Sequence, residues 1–271
     1  MNEQNTLLDH EGPMRTRMGA CFPGERAVFR GHDLHADLKD LDWVELYTFG
    51  ITGRRFSPQQ VKVLHALWTY TSYPDARLWN NRVAALAGSA RSTGALGIAA
   101  AIAVSEAAIY GWQPEMAAAD FLVRARQRLD AGEPLEQILQ HELKQHKRIL
   151  GYGRPVAALQ VDERIPAVLA CMEREQVEQG SYLRLAFEIE RGLLALGRRL
   201  PMNYAAMVVA IPLDMGFSPR ECYLFVQPSF MAGMPPCYLE ATERPEGATF
   251  VLRCSQVHYE GPGRRRWQPD Q

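Results

Sequence analysis

Several features that would place a chain of this size at once are missing here. Its five cysteines (Cys21, Cys171, Cys222, Cys237 and Cys254) include no CxxC pair. An odd, scattered set suits a reducing compartment better than a disulfide framework, and we read them mostly as buried thiols. Neither sign of charge dominates, since 30 basic and 31 acidic residues leave a formal net charge of -1. No global field then draws the chain to nucleic acid or to an anionic membrane surface. The most apolar stretch, residues 94–108, carries Ser105 and Glu106. It falls short of the roughly 20 apolar residues that a membrane span needs, so a buried helix is expected there. The opening segment is polar and charged with no apolar h-region, unlike a secretory signal. The cytoplasm is the expected compartment.

The common catalytic signatures are missing as well. A phosphate-cradling GxxxxGK[ST], a GxSxG nucleophile elbow and a zinc-binding HExxH do not occur. His141 and His146 lie five residues apart and so do not share a helix face as a metal pair would; no metal is expected. Arg264, Arg265 and Arg266 beside Trp267 form a short basic run, read as a solvated end or a partner contact.

What is present is helix after helix. At 271 residues and 47% hydrophobic content, the chain can bury a sizeable core as one large domain, with or without a smaller insertion. A short β-type run at residues 27–34, ended by a glycine turn, predicts a small hairpin. Ser57-Pro58-Gln59-Gln60 and Ser218-Pro219-Arg220-Glu221 read as capping boxes that open helices. Helical spacing between Gly and Pro punctuation predicts further helices at 114–129, 134–148, 165–179, 181–197 and 204–215. Residues 78–110 are rich in Ala, Gly, Leu and Ile, which suits close helix packing or a subunit interface. No internal repeat of 20–50 residues is visible.

Several segments, in order, resemble the citrate synthase family, which includes short citryl-CoA lyases and the C-terminal module of ATP-citrate lyase. FPGERAVFRGHDL at 22–34 resembles the family's PGxIxxRGYDL hairpin. QHKRILGYGRPV at 145–156, followed by Asp162-Glu163-Arg164, resembles KKIPGFGHPVHKxxDPR. The stretch from Met202 to Gly216 is similar to the NVDG helix, and 231–240 resembles RxxGxxAHxLE. Tyr259 to Pro262, with Arg253 ahead and Arg264 to Trp267 behind, resembles the closing YxGPxxRxY. The resemblance spans about residues 22–268.

The resemblance implies an all-α fold with a short N-terminal β-hairpin. After a polar segment (1–21), a large helical domain (22–115 and 204–271) would carry a small inserted one (116–203). It also implies a homodimer, or a heterodimer with an intact relative, and an active site in the interdomain cleft. Residues 78–110 would be dimer-interface helix. In this family a carboxylate takes the proton beside an acyl-CoA thioester, one histidine stabilises the enol and a second polarises the acceptor carbonyl.

Those side chains are replaced here. The first histidine loop reads Gly111-Trp112-Gln113-Pro114, the second histidine falls on Arg154, and the aspartate falls on Ala205 or its neighbour Tyr204. Phe230 stands for an arginine and Cys237 for a histidine, so a less anionic ligand than citrate is expected. Arg164 matches an anion-binding arginine, or is a surface arginine. Arg253 is a second substrate-binding candidate. Gly151, Gly153 and Val156 belong to the loop expected at coenzyme A. Arg154, Tyr204, Gln113 and Cys237 are the candidates for a rebuilt catalytic site, each with a structural reading beside it.

No tightly bound cofactor is expected; a coenzyme A thioester is the expected substrate, with a keto acid as the other small molecule. The resemblance implies a divergent acyltransferase or lyase. The alternatives are a catalytically inactive subunit and a small-molecule-binding protein.

Overall fold

A computed structural model of the chain describes residues 12–13, 15–154, 161–248 and 254–266. The fold is all-α apart from a three-stranded antiparallel sheet near the N-terminus, β1 (Gly19–Phe22), β2 (Arg26–Phe29) and β3 (His32–Asp33). β2 and β3 meet at a two-residue turn, Arg30-Gly31, with positive φ at both positions, the geometry that matches the strands' own twist. The expected hairpin is therefore present and extended by one strand. Arg30 then fastens the sheet to α1 (Trp43–Thr52), donating to the carbonyls of Gly50 (2.8 Å) and Ile51 (3.0 Å). These belong to the helix C-terminus, where carbonyls have no helical partner and a cation is favoured.

Both capping boxes expected from the sequence are formed. Ser57 opens α2 (Pro58–Thr69) and Ser218 opens α10 (Pro219–Val226). A third, Asp42 with Glu45, opens α1, a helix that the spacing of apolar residues does not predict. The remaining helices are α3 (Trp79–Ser89), α4 (Gly94–Val104), α5 (Trp112–Asp130), α6 (Leu135–His146), α7 (Arg164–Arg174), α8 (Ser181–Ala195), α9 (Tyr204–Asp214) and α11 (Met234–Glu243). A 3-10 turn at Gln227–Gly233 precedes α11. Among the described residues no helix is long and apolar enough to cross a membrane.

The chain divides into two compact units, residues 1–73 with 105–232, and residues 74–104 with 233–271. In the first unit α9 is the axis. Nine of its eleven residues are buried, from Tyr204 through Leu213, because α5, α7, α8 and α10 surround it. Each buried Val, Ile or Leu contributes about 2 kcal/mol over an exposed one. Trp68 of α2 adds a buried hydrogen bond to the Phe225 carbonyl (2.8 Å).

In the second unit α3 packs against α4 and α11. Gly88 and Gly97 permit close approach there, since a Cβ would meet the Tyr238 carbonyl at 2.4 Å and the Ala87 methyl at 2.7 Å. Of the burial expected in this stretch, the single chain supplies only part. In α4 only Gly97 and Ala101 are buried, and Leu96 is 67% exposed. One chain covers one face of this apolar helix and leaves the others open.

The loop at residues 149–153 is held to the start of α9 by backbone contacts. Gly153 N–H donates to the Pro201 carbonyl (2.7 Å) and Asn203 N–H to the Gly151 carbonyl (2.8 Å). The Asn203 side chain adds a bond to the Gly153 carbonyl (2.5 Å). Gly151 has φ of 94°, and a Cβ there would meet the methyls of Ala206 at 2.9 Å and Ala118 at 3.3 Å. Gly151→Ala is therefore expected to cost about 3 kcal/mol, combining left-handed strain with overpacking. Gly24→Ala, with φ of 79° and no atom within 4 Å, should cost about 1 kcal/mol. Urea denaturation of both variants checks this, and equal losses would remove the close approach as the cause.

Candidate functional site

The first unit contains a buried ionic cluster built around Asp162, which is fully buried. Its carboxylate accepts Arg164 Nε at 2.8 Å on Oδ1 and Arg164 Nη2 at 2.7 Å on Oδ2, a bidentate pair. Two backbone donors complete the set, the N–H of Arg164 (3.2 Å) and the N–H of Tyr204 (3.1 Å). These are first-turn amides of α7 and α9, which have no partner within their own helices. One carboxylate thus serves the positive ends of two helices. Burial pushes the Asp162 carboxyl up, but its hydrogen bonds and the charges of Arg164 and Arg154 outweigh that and hold it below the usual range.

Arg164 is 7% exposed, so the surface reading of this arginine is corrected. Its guanidinium lies over the Tyr204 ring at 4.3 Å and near the Tyr73 ring at 5.6 Å, cation–π contacts that strengthen as water is excluded. Burial works against its charge, and the hydrogen bonds and charge of Asp162 overcome this and leave it above its ordinary value.

The cluster gathers three of the residues singled out in the sequence. Arg154 donates through Nη1 to Glu163 Oε2 (2.8 Å) and lies 3.8 Å from Asp162 Oδ2. Glu163 also accepts the Tyr73 hydroxyl (2.9 Å). Tyr204 is 2% exposed and its hydroxyl donates to the Leu67 carbonyl at 2.6 Å. Burial raises its pKa strongly, with the Arg164 charge opposing, so this hydroxyl holds its proton.

Gln113 lies on the first turn of α5 and donates to the Glu106 carbonyl (3.2 Å). Cys237 lies in the second unit, buried with Ala85 and Ala241. Burial first, then Glu240 and Asp75, push its thiol up. Val156, Arg253 and Trp267 lie outside the described residues. Among the described residues no group of three or more His, Cys, Asp or Glu is placed to hold a metal ion.

The sequence does not point to Glu115, one turn into α5. It is 4% exposed, its Oε2 has no hydrogen-bond partner, and the Trp112 indole N–H three residues earlier has none either. Burial raises the Glu115 carboxyl to about 8, with Arg164 pulling the other way. The same carboxylate charge reaches Tyr110 and Tyr204, so Glu115 belongs electrostatically to this cluster. Phe230 stacks against two rings at the beginning of this stretch, 6.3 Å from Trp112 and 6.4 Å from Tyr110. No local pattern marks Glu115, because its burial comes from helices distant in sequence.

No family model matches the chain, and no curated protein matches it. Solved structures do. The citryl-CoA lyase from Hydrogenobacter thermophilus aligns with a TM-score of 0.81 at 18% identity, over 94% of this chain and 97% of that one. The chain has the citrate synthase-type fold. An ATP citrate lyase from Methanosaeta concilii, in complex with (3S)-citryl-CoA, aligns with a TM-score of 0.72 at 14% identity, and this chain spans 43% of its length. Citrate synthase from Thermotoga maritima aligns with a TM-score of 0.61 at 16% identity, over 85% of this chain and 61% of that one. The all-α architecture with its N-terminal sheet is the one expected from the resembling segments.

The environment of Glu115 makes stability depend on pH. Its carboxyl moves from 4.5 in the ordinary state to about 8 in the fold. As pH rises through that window the unfolded chain releases the proton and the folded chain retains it, so stability falls. The full loss is on the order of 5 kcal/mol. Glu115→Gln has no such proton to lose, and its advantage over the natural protein should grow by several kcal/mol between pH 5 and pH 8.5. Urea denaturation at the two pH values measures this, and a constant difference would refute it.

Proposed function

We propose that the chain binds an acyl-CoA or related thioester and makes or breaks a carbon-carbon bond next to the thioester carbonyl. The observation that carries this is the citrate synthase-type fold, aligned over nearly the full length of a citryl-CoA lyase. The ionic cluster supports it further: a buried arginine, a carboxyl raised to about 8 and stacked aromatic rings lie in one unit. Arg154, Arg164, Gln113 and the loop at Gly151 and Gly153 are the candidate contacts of the ligand, with Arg253 and Val156. The inserted small domain at 116–203 is part of the same proposal.

One observation favours a second reading, an inactive subunit that keeps the fold for pairing. Tyr204, Arg154 and Arg164 all have internal partners. Isothermal calorimetry of the purified chain with acetyl-CoA, followed by thiol release with added keto acids, separates the two. Micromolar binding with thiol release is expected, and absence of both would overturn the first reading in favour of the second.

A second copy of this chain, or an intact relative, is proposed as the partner of α4. The apolar face of Leu96, Ala99, Ala100 and Ala103 is exposed in the single chain, and a contiguous apolar face of this kind suits an interface. Leu96→Glu should convert a dimer to monomer in sedimentation without unfolding it, because Leu96 is not in the core. A natural protein that sediments as a monomer at all concentrations would refute self-association.

A further inference from the structure

Helices α2 and α7 pack against each other in the first unit, and between them the surface opens into a cavity of about 310 Å³. A cavity of about 150 Å³ holds benzene, so this one has room for a ligand of about twelve non-hydrogen atoms. Val61, Lys62, His65, Ala66 and Thr69 line one wall, and steps of three or four residues put them on one stripe of α2. Cys171 and Arg174, on one face of α7, line the other. Arg174 ends the helix that Arg164 begins, about 15 Å along its axis, so the cavity lies away from the ionic cluster.

The lining is two-sided. Val61, Ala66 and Cys171 are buried and make an apolar floor, while Lys62 and Arg174 stand at the mouth with 64% of each side chain exposed. One carboxylate, Glu175, holds both cations, with Lys62 Nζ at 3.0 Å and Arg174 Nε at 2.9 Å. That sets them side by side and offsets one of their two positive charges. Donors are left over, because an ammonium carries three N–H groups and a guanidinium five. Arg174 spends only Nε on Glu175 and Nη2 on the Cys171 sulfur (3.2 Å). On the same lining, the His65 and Tyr70 side chains make no hydrogen bond among the described residues. Asp42 is the carboxylate on the lining. One of its oxygens accepts the Glu45 N–H (2.8 Å), and its charge opposes a second negative charge on anything bound there.

We propose that this cavity binds a small monocarboxylate with an apolar body. The carboxylate meets Arg174 and Lys62 at the mouth, where a planar guanidinium suits it in shape and charge. The hydrocarbon lies on Val61, Ala66 and Cys171 and is removed from water there. Phosphate and dicarboxylates are disfavoured, since they bring added charge towards Asp42 and leave the floor uncovered. A neutral alcohol of the same length covers the floor and leaves the cations unmatched. The site stands independently of the thioester reading above.

The probe is octanoate, with isothermal calorimetry of the full chain. A Kd of about 0.1–1 mM is expected for a ligand of this size, with octanol and octanedioate each about tenfold weaker or worse. Arg174→Gln should weaken octanoate about tenfold and leave octanol unchanged. Thr69 is exposed, so Thr69→Trp places a ring across the cavity without entering the core and should abolish octanoate binding. Circular dichroism checks that both variants fold.

Octanol binding as tightly as octanoate would overturn the proposal. So would unchanged octanoate affinity in Thr69→Trp, or no octanoate binding up to about 10 mM. Acetyl-CoA separates this site from the thioester one. Displacement of octanoate by acetyl-CoA would refute a separate cavity and leave the thioester reading standing. Octanoate binding without any acetyl-CoA binding supports the cavity and removes the thioester reading.

Discussion

The arrangement depends on the pairing of Asp162 with Arg164. Remove the carboxylate, and a guanidinium stays buried without a counter-ion. Breaking a buried pair in this way costs about 3–5 kcal/mol. Remove the arginine, and the carboxylate retains two backbone donors from α7 and α9 and the Arg154 charge at 3.8 Å, but loses both side-chain hydrogen bonds and the nearer of the two charges. The pair also fixes geometry, since one carboxylate holds the starts of α7 and α9. The guanidinium also lies against the Tyr204 ring and near the Tyr73 ring. Arg154 comes in at the edge through Glu163, so a loop residue, two helix starts and an α2-side tyrosine share one electrostatic unit.

Much of this fold could be read from local chemistry. Ser57 and Ser218 carry complete capping boxes, and the helices behind them begin where those boxes place them. The hairpin at Arg30-Gly31 follows from a turn that tolerates positive φ. α1 escapes the spacing test because Trp43–Thr52 mixes aromatic, β-branched and glycine residues with little contrast between faces; its Asp42–Glu45 box was the available signal. α11 begins with two prolines after a 3-10 turn, which reads as a break until Pro at the first helical positions is recognised as a start.

The site was legible only in outline. The order Asp162-Glu163-Arg164 was visible, but that Asp162 closes back on Arg164 two residues later is a matter of three dimensions. Tyr204 and Arg154 stand where the resemblance implies catalytic groups, and both join the cluster in the company of internal partners. α4 illustrates the converse. Its apolar composition says that it must be covered, and cannot say whether by its own chain or by another.

Two carboxyls near one arginine have been driven to opposite states. Asp162 receives both arms of the guanidinium and two helix-start amides, and stays ionised well inside the protein. Glu115 sees the same cation only at longer range, after that cation's charge is largely offset by Asp162. Burial therefore prevails and the carboxyl keeps its proton up to about pH 8. Surroundings that push the values of two acids apart leave one of them a fixed charge and the other neutral in the same unit of the fold.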